Sequence, residues 1–380
     1  MDPLGLTGDV PPDAGDEPRD TPLRGEHEAL GAAFTDFGGW MMPVRYTSDL
    51  AEHHAVRQAS GLFDISHMGE ILVEGPGAGA FLDHALAGIA SAVAVGKAKY
   101  TMVLAEDGGI IDDLIVYRLQ DEQYLVIANA GNRESVARVL TDRVAGFDAT
   151  VEDQSDDYAL VALQGPAAAR ILAETAGVDE LTRPLDEIRN YAWGAAAFRG
   201  EPLLIARTGY TGEDGFELLV PVSAAAALWR ALLEAGEPNG LVPAGLAARD
   251  TLRLEAGMPL YGHELSRDVV PAQAGLGRVV PAGKSDFVGV AATEPRPDAP
   301  VLIGLTADGR RAGRAGYGVY RGDALVGEIT SGALSPTLGH PIAMAFVQPA
   351  AADAPDLTID VRGTRIPAAV TALPFYRRNS

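Results

Sequence analysis

The chain contains no cysteine in its 380 residues. Disulfide bonds, thiolate nucleophiles, iron–sulfur ligation and cysteine-based zinc sites are therefore excluded. Lysine is also scarce, because it occurs only at positions 97, 99 and 284. Long apolar runs are missing as well, and none approaches the roughly eighteen residues that a membrane-spanning helix needs.

Positive charge is in deficit, with 52 acidic against 30 basic side chains and a formal net charge of −22. Such a surface repels phosphate backbones and anionic lipids, so we expect neither nucleic acid nor a membrane as a partner. The seven histidines show no HExxH spacing, and His53 and His54 would diverge on a helix. With GxSxG also missing, the sequence predicts neither a metal site nor a serine-hydrolase triad.

The hydrophobic content of 47% is ordinary, and a chain of this length suits two or three packed units. Residues 1–20 are acidic and rich in proline and glycine, which predicts a disordered extension. This segment has the composition of neither a signal peptide nor a transit peptide, so we expect a cytoplasmic protein.

Two segments resemble each other, Ile71–Leu82 and Leu160–Ile171. Each reads as an apolar strand, a Gly-Pro break and an alanine-rich helix. Pro76 and Pro166 would lie in the first helical turn, where a missing N–H costs nothing. The duplication predicts an α+β fold in which sheets are covered by helices, spanning residues 21–290.

The remainder of the chain has a different pattern. Prolines at 295, 297 and 300 predict a linker over residues 291–300. Beyond it, six short apolar runs alternate with glycine turns and helix signals are scarce. This pattern predicts a small antiparallel β-barrel or sandwich over residues 301–380.

The strongest local feature is a pair of carboxylates, Asp112 and Asp113, inside the apolar strand Gly108–Tyr117. Buried carboxylates are costly unless they are solvated, paired or used in chemistry. Neighbours on a strand face opposite ways, so only one of the two can enter a cleft, where burial raises its pKa towards that of a useful base. An edge strand with both carboxylates bonded to turn backbone is an equal alternative on spacing alone.

Two further segments carry candidate binding groups. Glu217 follows a glycine-rich turn, and its carboxylate can accept two parallel N–H bonds from a pterin-like edge. A solvated hairpin is the alternative. Arg249 lies on a predicted helix over Leu246–Glu255 and can bind a substrate carboxylate, the alternative there being an ordinary Asp250–Arg253 surface pair.

Nine segments together resemble the aminomethyltransferase (T protein) family of the glycine cleavage system, in order, from about residue 20 to the end. They are Thr21–Leu23, Gly39–Pro43, Glu52–Arg57, Gly61–Met68, Gly109–Tyr117, Gly209–Glu217, Gly245–Gly257, Thr330–Gly339 and Pro374–Tyr376. One departure is Arg278, which stands where relatives usually have tryptophan.

The resemblance implies three domains around a central tetrahydrofolate site, the first two interleaved and the third a β-barrel. It implies transfer of the methylene carbon from the S-aminomethyl-dihydrolipoyl arm of an H protein to tetrahydrofolate, with release of ammonia and without a metal. A folate-dependent demethylase of a small sulfonium or methylamine is the alternative on the same fold. Docking of an acidic H protein needs a basic patch, for which Arg310, Arg311 and Arg314 are candidates.

The resemblance also implies residue roles. It assigns the catalytic carboxylate to Asp112 and the pterin anchor to Glu217, with Arg249 as a second folate ligand. The residues expected to line the pocket are Tyr100, Met68, Asn129 and Tyr261.

Overall fold

The computed structural model describes residues 17–294 and 297–378. The strands are β1 (Arg19–Asp20), β2 (Ala33–Phe37), β3 (Trp40–Arg45), β4 (Ser60–Asp64), β5 (Gly69–Glu74), β6 (Ala98–Leu104), β7 (Ile110–Gln120), β8 (Gln123–Ala128), β9 (Thr150–Asp153), β10 (Tyr158–Gln164), β11 (Val178–Asp179), β12 (Trp193–Phe198), β13 (Glu201–Ala206), β14 (Gly215–Pro221), β15 (Leu241–Pro243), β16 (Val301–Ala307), β17 (Gly318–Arg321), β18 (Ala324–Leu334), β19 (Pro341–Val347), β20 (Leu357–Val361) and β21 (Thr364–Thr371). The α-helices are α1 (Arg24–Ala29), α2 (Asp49–Gln58), α3 (Ala78–Ala85), α4 (Arg133–Arg143), α5 (Ala168–Glu174), α6 (Val222–Gly236) and α7 (Leu246–Glu255). None of the helices in the described ranges is long and apolar enough to span a membrane.

Two large sheets are interleaved in sequence. The seven-stranded sheet has the order β11-β12-β13-β14-β10-β4-β15, and the five-stranded sheet has the order β6-β7-β8-β5-β9. All five strands of the second sheet fall between β4 and β10 of the first. The predicted α+β fold with an interleaved, duplicated region is therefore confirmed.

The sequence repeat corresponds to the units β5–α3 and β10–α5. In both, a glycine with positive φ ends the strand: Gly75 at 128° and Gly165 at 136°. A Cβ atom would lie 2.6 Å from the Asp148 carbonyl oxygen in the first case and 2.4 Å from the Ala59 carbonyl oxygen in the second. Glycine is therefore required at both positions. The prolines that follow lie in the turn leading into each helix, two residues before the helix begins.

The layers follow from the alternation of side chains along the strands. One face of the five-stranded sheet packs against α3 and α4, and one face of the seven-stranded sheet packs against α5 and α6. The two remaining faces share an apolar cluster that includes Leu125 and Ile127 from one sheet and Leu160 and Ala162 from the other. Helices α2 and α7 contribute to the same cluster, so both helices pack against the layer between the two sheets.

The C-terminal region is a closed barrel with the strand order β16-β19-β18-β17-β20-β21. Of the two folds predicted for this region, the barrel is confirmed and the sandwich is wrong. All six apolar runs form its strands. Leu254 at the end of α7 packs with Ile342 and Met344 of the barrel, which joins the barrel to the preceding α+β region.

The two predicted irregular segments lie partly outside the described residues. The extension predicted over residues 1–20 is described only from residue 17, and Arg19–Asp20 pairs in parallel with β3. The predicted linker over residues 291–300 is described except for residues 295 and 296. At its end, the Pro300 carbonyl accepts a 3.1 Å bond from Nε2 of Gln273.

Candidate functional site

The carboxylate pair lies on β7, between β6 and β8, so the edge-strand alternative is wrong. Asp112 has no solvent exposure. Its Oδ2 accepts a 2.9 Å bond from the Asn129 backbone N–H, and its Oδ1 accepts bonds of 2.9 and 2.7 Å from the side-chain amides of Asn129 and Asn132. Protein N–H groups therefore enclose this carboxylate.

Asp113 is in a different environment, because it is only partly buried. Its Oδ2 accepts a 2.9 Å bond from the Tyr100 hydroxyl, and its Oδ1 accepts a 2.8 Å bond from Nδ2 of Asn129. Each oxygen thus has one side-chain donor, and a carboxylate has about four acceptor sites. Asp113 keeps acceptor capacity that Asp112 has largely used.

Burial raises the pKa of both carboxylates. It brings the pKa of Asp113 to about 6, although the hydrogen bonds from Tyr100 and Asn129 act in the opposite direction. Burial and the charge of Asp113 raise the pKa of Asp112 well above its ordinary value, against the N–H bonds that it accepts. A carboxylate that titrates near neutral pH is suited to act as a general acid or base.

Glu217 lies on β14 in the seven-stranded sheet and is half-buried. Its Oε2 accepts a hydrogen bond from the Thr208 hydroxyl, which lies 3.0 Å from the hydroxyl of Tyr117. Burial raises the pKa of Glu217, while Thr208 and the charge of Arg249 lower it. The alternative of a solvated hairpin is right about the hairpin, because β13 pairs antiparallel with β14, and wrong about the solvation. β14 is an internal strand, and the Glu217 carboxylate faces polar groups from both sheets.

Arg249 lies on α7, half-buried, with its guanidinium 4.9 Å from the centre of the Tyr210 ring. Within the described part of the chain, this guanidinium has no acceptor for its N–H groups and no ion-pair partner. Burial lowers the pKa of Arg249, and the nearby Tyr210 and Glu217 oppose that effect. A cation that gives up solvation without a protein partner is available to bind a ligand.

Arg253, one turn further along α7, is the opposite case. Its guanidinium pairs with Asp250 at 2.8 Å and with Glu264 at 3.0 Å, and it donates a 2.7 Å bond to Ser331. Its side chain is only 2% exposed. In the alternative to the Arg249 prediction, the Asp250–Arg253 pair exists but is not an ordinary surface pair, because it belongs to a network in which Arg253 and Glu264 are buried. That network does not involve Arg249.

Two tyrosines lie close to charged groups from both sheets and from α7. Burial, followed by the charges of Glu217 and Asp113, raises the pKa of Tyr191. Tyr210 contacts Arg249 and is also affected by the charge of Asp113. The carboxylates of the two sheets and the arginine of α7 thus converge on one region.

The remaining predicted residues lie nearby. The Tyr261 hydroxyl donates a 3.1 Å bond to the Ile110 carbonyl, and burial followed by the charge of Asp112 raises the pKa of Tyr261 to about 12. Met68 is half-buried and packs against the apolar cluster between the sheets. Arg278 is exposed in a short 3-10 turn, Gly277–Val279.

Sequence reasoning did not single out several residues of this region: Tyr117, Asn132, Tyr191, Thr208 and Tyr210. Three of them, Tyr117, Thr208 and Tyr210, lie within or directly beside the segments that carried the prediction, and Asn132 lies three residues after Asn129. Tyr191 has no such signal, and its φ of 54° is uncommon for a residue other than glycine. Across residues 17–294 and 297–378, no three His, Asp or Glu side chains are grouped so that they could hold a metal ion.

Comparison with known proteins agrees with this architecture. Residues 23–284 match the model of the GCVT N-terminal domain, and residues 301–377 match that of the glycine cleavage T-protein C-terminal barrel domain. An aminomethyltransferase of Cutibacterium acnes is 57% identical, over 95% of this chain and 99% of the relative. One from Streptomyces avermitilis is 56% identical, over 95% and 98%. The crystal structure of the glycine cleavage system aminomethyltransferase T from Bartonella henselae superposes with a TM-score of 0.87 at 36% identity, covering 94% of this chain and 98% of that one.

Proposed function

Because the chain belongs to the glycine cleavage T-protein family of aminomethyltransferases, we propose that the space between its two sheets binds tetrahydrofolate and that Asp113 is the acid–base group. The protein is a folate-dependent aminomethyltransferase of the glycine cleavage system. In that reaction the carbon–sulfur and carbon–nitrogen bonds of an aminomethyl donor break, its methylene carbon forms bonds to two folate nitrogens, and the thiol and ammonia leave.

Glu217 fits the pterin edge of the folate. A carboxylate accepts two parallel N–H bonds from an amidine-like edge, and such charge-assisted bonds are about twice as strong as neutral ones. Thr208 orients the carboxylate by donating to Oε2. The partial burial of Glu217 strengthens its bonds to a ligand, because competing water is excluded.

Arg249 fits an acceptor on the same ligand. Its guanidinium has no protein partner within the described residues, and the Tyr210 ring holds it in place from one side. A folate carbonyl or carboxylate would satisfy the hydrogen-bonding capacity that the protein leaves unused.

The difference in exposure between the two aspartates supports giving the acid–base role to Asp113. Asp112 is fully buried and receives three N–H bonds, so its structural part is to hold Asn129 and Asn132. Asp113 is partly exposed, and its pKa of about 6 allows it to exchange a proton with a folate nitrogen near neutral pH. Its negative charge also stabilises a cationic carbon centre during transfer. The assignment of this role to Asp112 by family likeness stays a prediction, and the following experiment decides between the two aspartates.

The experiment compares Asp113→Asn with Asp112→Asn in a complete assay with tetrahydrofolate and an aminomethyl-loaded lipoyl carrier protein, following ammonia release. We expect Asp113→Asn to lose roughly 10²–10⁴-fold in rate, the range for a positioned acid or base. A larger loss in Asp112→Asn, with folding intact, would return the role to Asp112. Folate binding by the wild type without turnover would favour a sulfonium or methylamine donor instead.

For the carrier, we propose a lipoylated H protein that docks at the loop after β16. Arg310, Arg311 and Arg314 are exposed there, within five residues of each other. The chain has a net charge of −22, so an acidic partner would be repelled by most of its surface. A local group of three arginines would attract the acidic surface of such a partner.

A further inference from the structure

One buried arginine outside the proposed ligand set, Arg57 in the last turn of α2, joins the elements that carry that set. Its side chain is 4% exposed. Nη1 donates to the Thr211 carbonyl at 2.7 Å and to Oε1 of Glu213 at 2.9 Å. Nε and Nη2 donate to Oε2 of Glu255 at 3.2 and 2.8 Å, and Nη2 also donates to the Leu252 carbonyl at 3.3 Å.

The two groups of acceptors belong to different functional elements. Thr211 and Glu213 lie in the turn that leads directly into β14 and Glu217. Leu252 and Glu255 form the last turn of α7, the helix that carries Arg249. The guanidinium of Arg57 thus links the element bearing one proposed folate contact to the element bearing the other.

Close packing at the same place leaves the turn little freedom. Gly212 approaches α7 so closely that a Cβ atom on it would lie 2.9 Å from Cβ of Ala256. Its φ of 79° also favours glycine. The turn is therefore seated on the end of α7, and Arg57 fixes it there through hydrogen bonds on both sides.

Charge and shape both require arginine here. The single positive charge of Arg57 faces two buried carboxylates, Glu213 and Glu255, which are 5% and 0% exposed. The planar guanidinium directs its N–H groups to acceptors on two sides at once, and lysine has no such fork. The Tyr376 ring covers the guanidinium at 4.0 Å, so the C-terminal segment holds it in this plane.

We propose that Arg57 is a positioning residue for folate: it fixes the distance between Glu217 and Arg249 without contacting the ligand. The inference rests on the proposed folate site. The hydrogen bonds from Arg57 to the turn before β14 and to the end of α7 form a clamp. If this clamp is weakened, Glu217 and Arg249 are no longer spaced to bind one folate molecule. Folate affinity then falls although both residues remain present. Misplacement by about 1 Å can cost on the order of 10²-fold at a preorganised site.

The test measures tetrahydrofolate dissociation constants and kcat for Arg57→Lys and Glu213→Gln. We expect the dissociation constant to rise roughly 10–100-fold for Arg57→Lys and less for Glu213→Gln, with a smaller change in kcat at saturating folate. The double variant should bind only slightly more weakly than Arg57→Lys, because both changes break the same clamp. Arg118→Lys is the matched control, since Arg118 near the end of β7 donates to the carbonyl groups of Ser91, Val93 and Asp121, away from Arg57. It should leave folate affinity unchanged.

Chemical rescue separates positioning from general stability. In Arg57→Ala, millimolar guanidinium chloride should restore folate affinity, and ammonium chloride at equal ionic strength should not. If the wild type binds folate and Arg57→Lys binds it equally well, the inference is wrong while the proposed function stands. If affinity in Arg57→Lys falls only in proportion to lost folded protein, Arg57 has a structural role alone. Failure of the wild type to bind folate would instead overturn the proposed function.

Discussion

The hydroxyl group of Tyr100 donates a 2.9 Å hydrogen bond to Oδ2 of Asp113. This bond favours the ionised carboxylate and lowers its pKa, against the burial that raises it to about 6. In Tyr100→Phe the pKa of Asp113 should therefore rise above 6. We expect the acidic limb of the kcat/KM profile to move to higher pH by about one to two units, because a hydrogen bond to a charged group contributes roughly 1.5–3 kcal/mol and one pKa unit equals about 1.36 kcal/mol.

The profile should be measured between pH 5 and 9 beside Tyr124→Phe, which removes a buried hydroxyl on the opposite face of the same sheet. In Tyr124→Phe, the acidic limb of the kcat/KM profile should stay at the same pH as in the wild type. An unmoved limb in Tyr100→Phe would mean that Asp113 is not the group whose ionisation governs the rate.

The second prediction concerns Glu217→Gln, which keeps the size of the side chain and removes its charge. The variant should bind tetrahydrofolate roughly 10–100-fold more weakly, because hydrogen bonds to a charged partner contribute about 1.5–3 kcal/mol. At saturating folate, kcat should change much less, since the proposed role of Glu217 is to bind the pterin edge and not to act on the transferred carbon. Isothermal titration under anaerobic conditions measures the affinity, with the exposed Glu152→Gln as control. Equal affinity in both variants would remove Glu217 from the ligand set.

Much of the fold could be predicted because its patterns are local. The helix predicted over Leu246–Glu255 has those bounds in the structure, and each apolar run after residue 300 forms a strand of the barrel. Such elements can be recognised from the regular spacing of apolar residues within a short stretch of sequence. The irregular segment over residues 260–290 has no such spacing. It is held by long-range contacts, such as the bond from Tyr261 to the Ile110 carbonyl.

The site was predictable in its residues but less so in its roles. Because neighbours on a strand point to opposite faces of the sheet, Asp112 and Asp113 must have different environments. This alternation does not say which of the two carboxylates is enclosed by N–H donors. That depends on Asn129, Asn132 and Tyr100, which lie 17, 20 and 13 residues away from the aspartate each contacts. The β-bulge between Val103 and Leu104 on the neighbouring strand changes the register beside the pair, and no pattern in the sequence signals it.

The third prediction concerns carrier docking. Reversing two charges with Arg310→Glu and Arg311→Glu should raise the KM for the loaded carrier protein by about tenfold at low salt, while the folate dissociation constant stays the same. The difference should shrink as ionic strength passes about 0.15 M, where the screening length is about 8 Å. Arg138→Glu and Arg170→Glu, on the exposed faces of α4 and α5, together make the same net charge change elsewhere and are the control. Equal effects from both sites would indicate net charge rather than a docking surface.

The last prediction concerns acid stability and the glutamate that joins α7 to the barrel. Burial alone raises the pKa of Glu255, but hydrogen bonds from His53, Ser335 and the Thr337 backbone outweigh it and lower the pKa to about 2. A carboxyl group whose folded-state pKa lies below its ordinary value of 4.5 stabilises the fold above that pH and loses this contribution as pH falls towards 2. Glu255→Gln should therefore lower the free energy of unfolding at pH 7 and weaken its dependence on pH between 4.5 and 2.

Urea unfolding of the wild type and of Glu255→Gln at a series of pH values measures this difference directly. The exposed Glu234→Gln is the control, because its carboxyl group has no protein partner in the described part of the chain. The wild type and the glutamine variant should approach each other in stability as pH falls, since protonated Glu255 loses the charge that His53 and Arg57 face. Curves that stay parallel down to pH 2 would show that the ionised form of Glu255 is not what joins the barrel to α7.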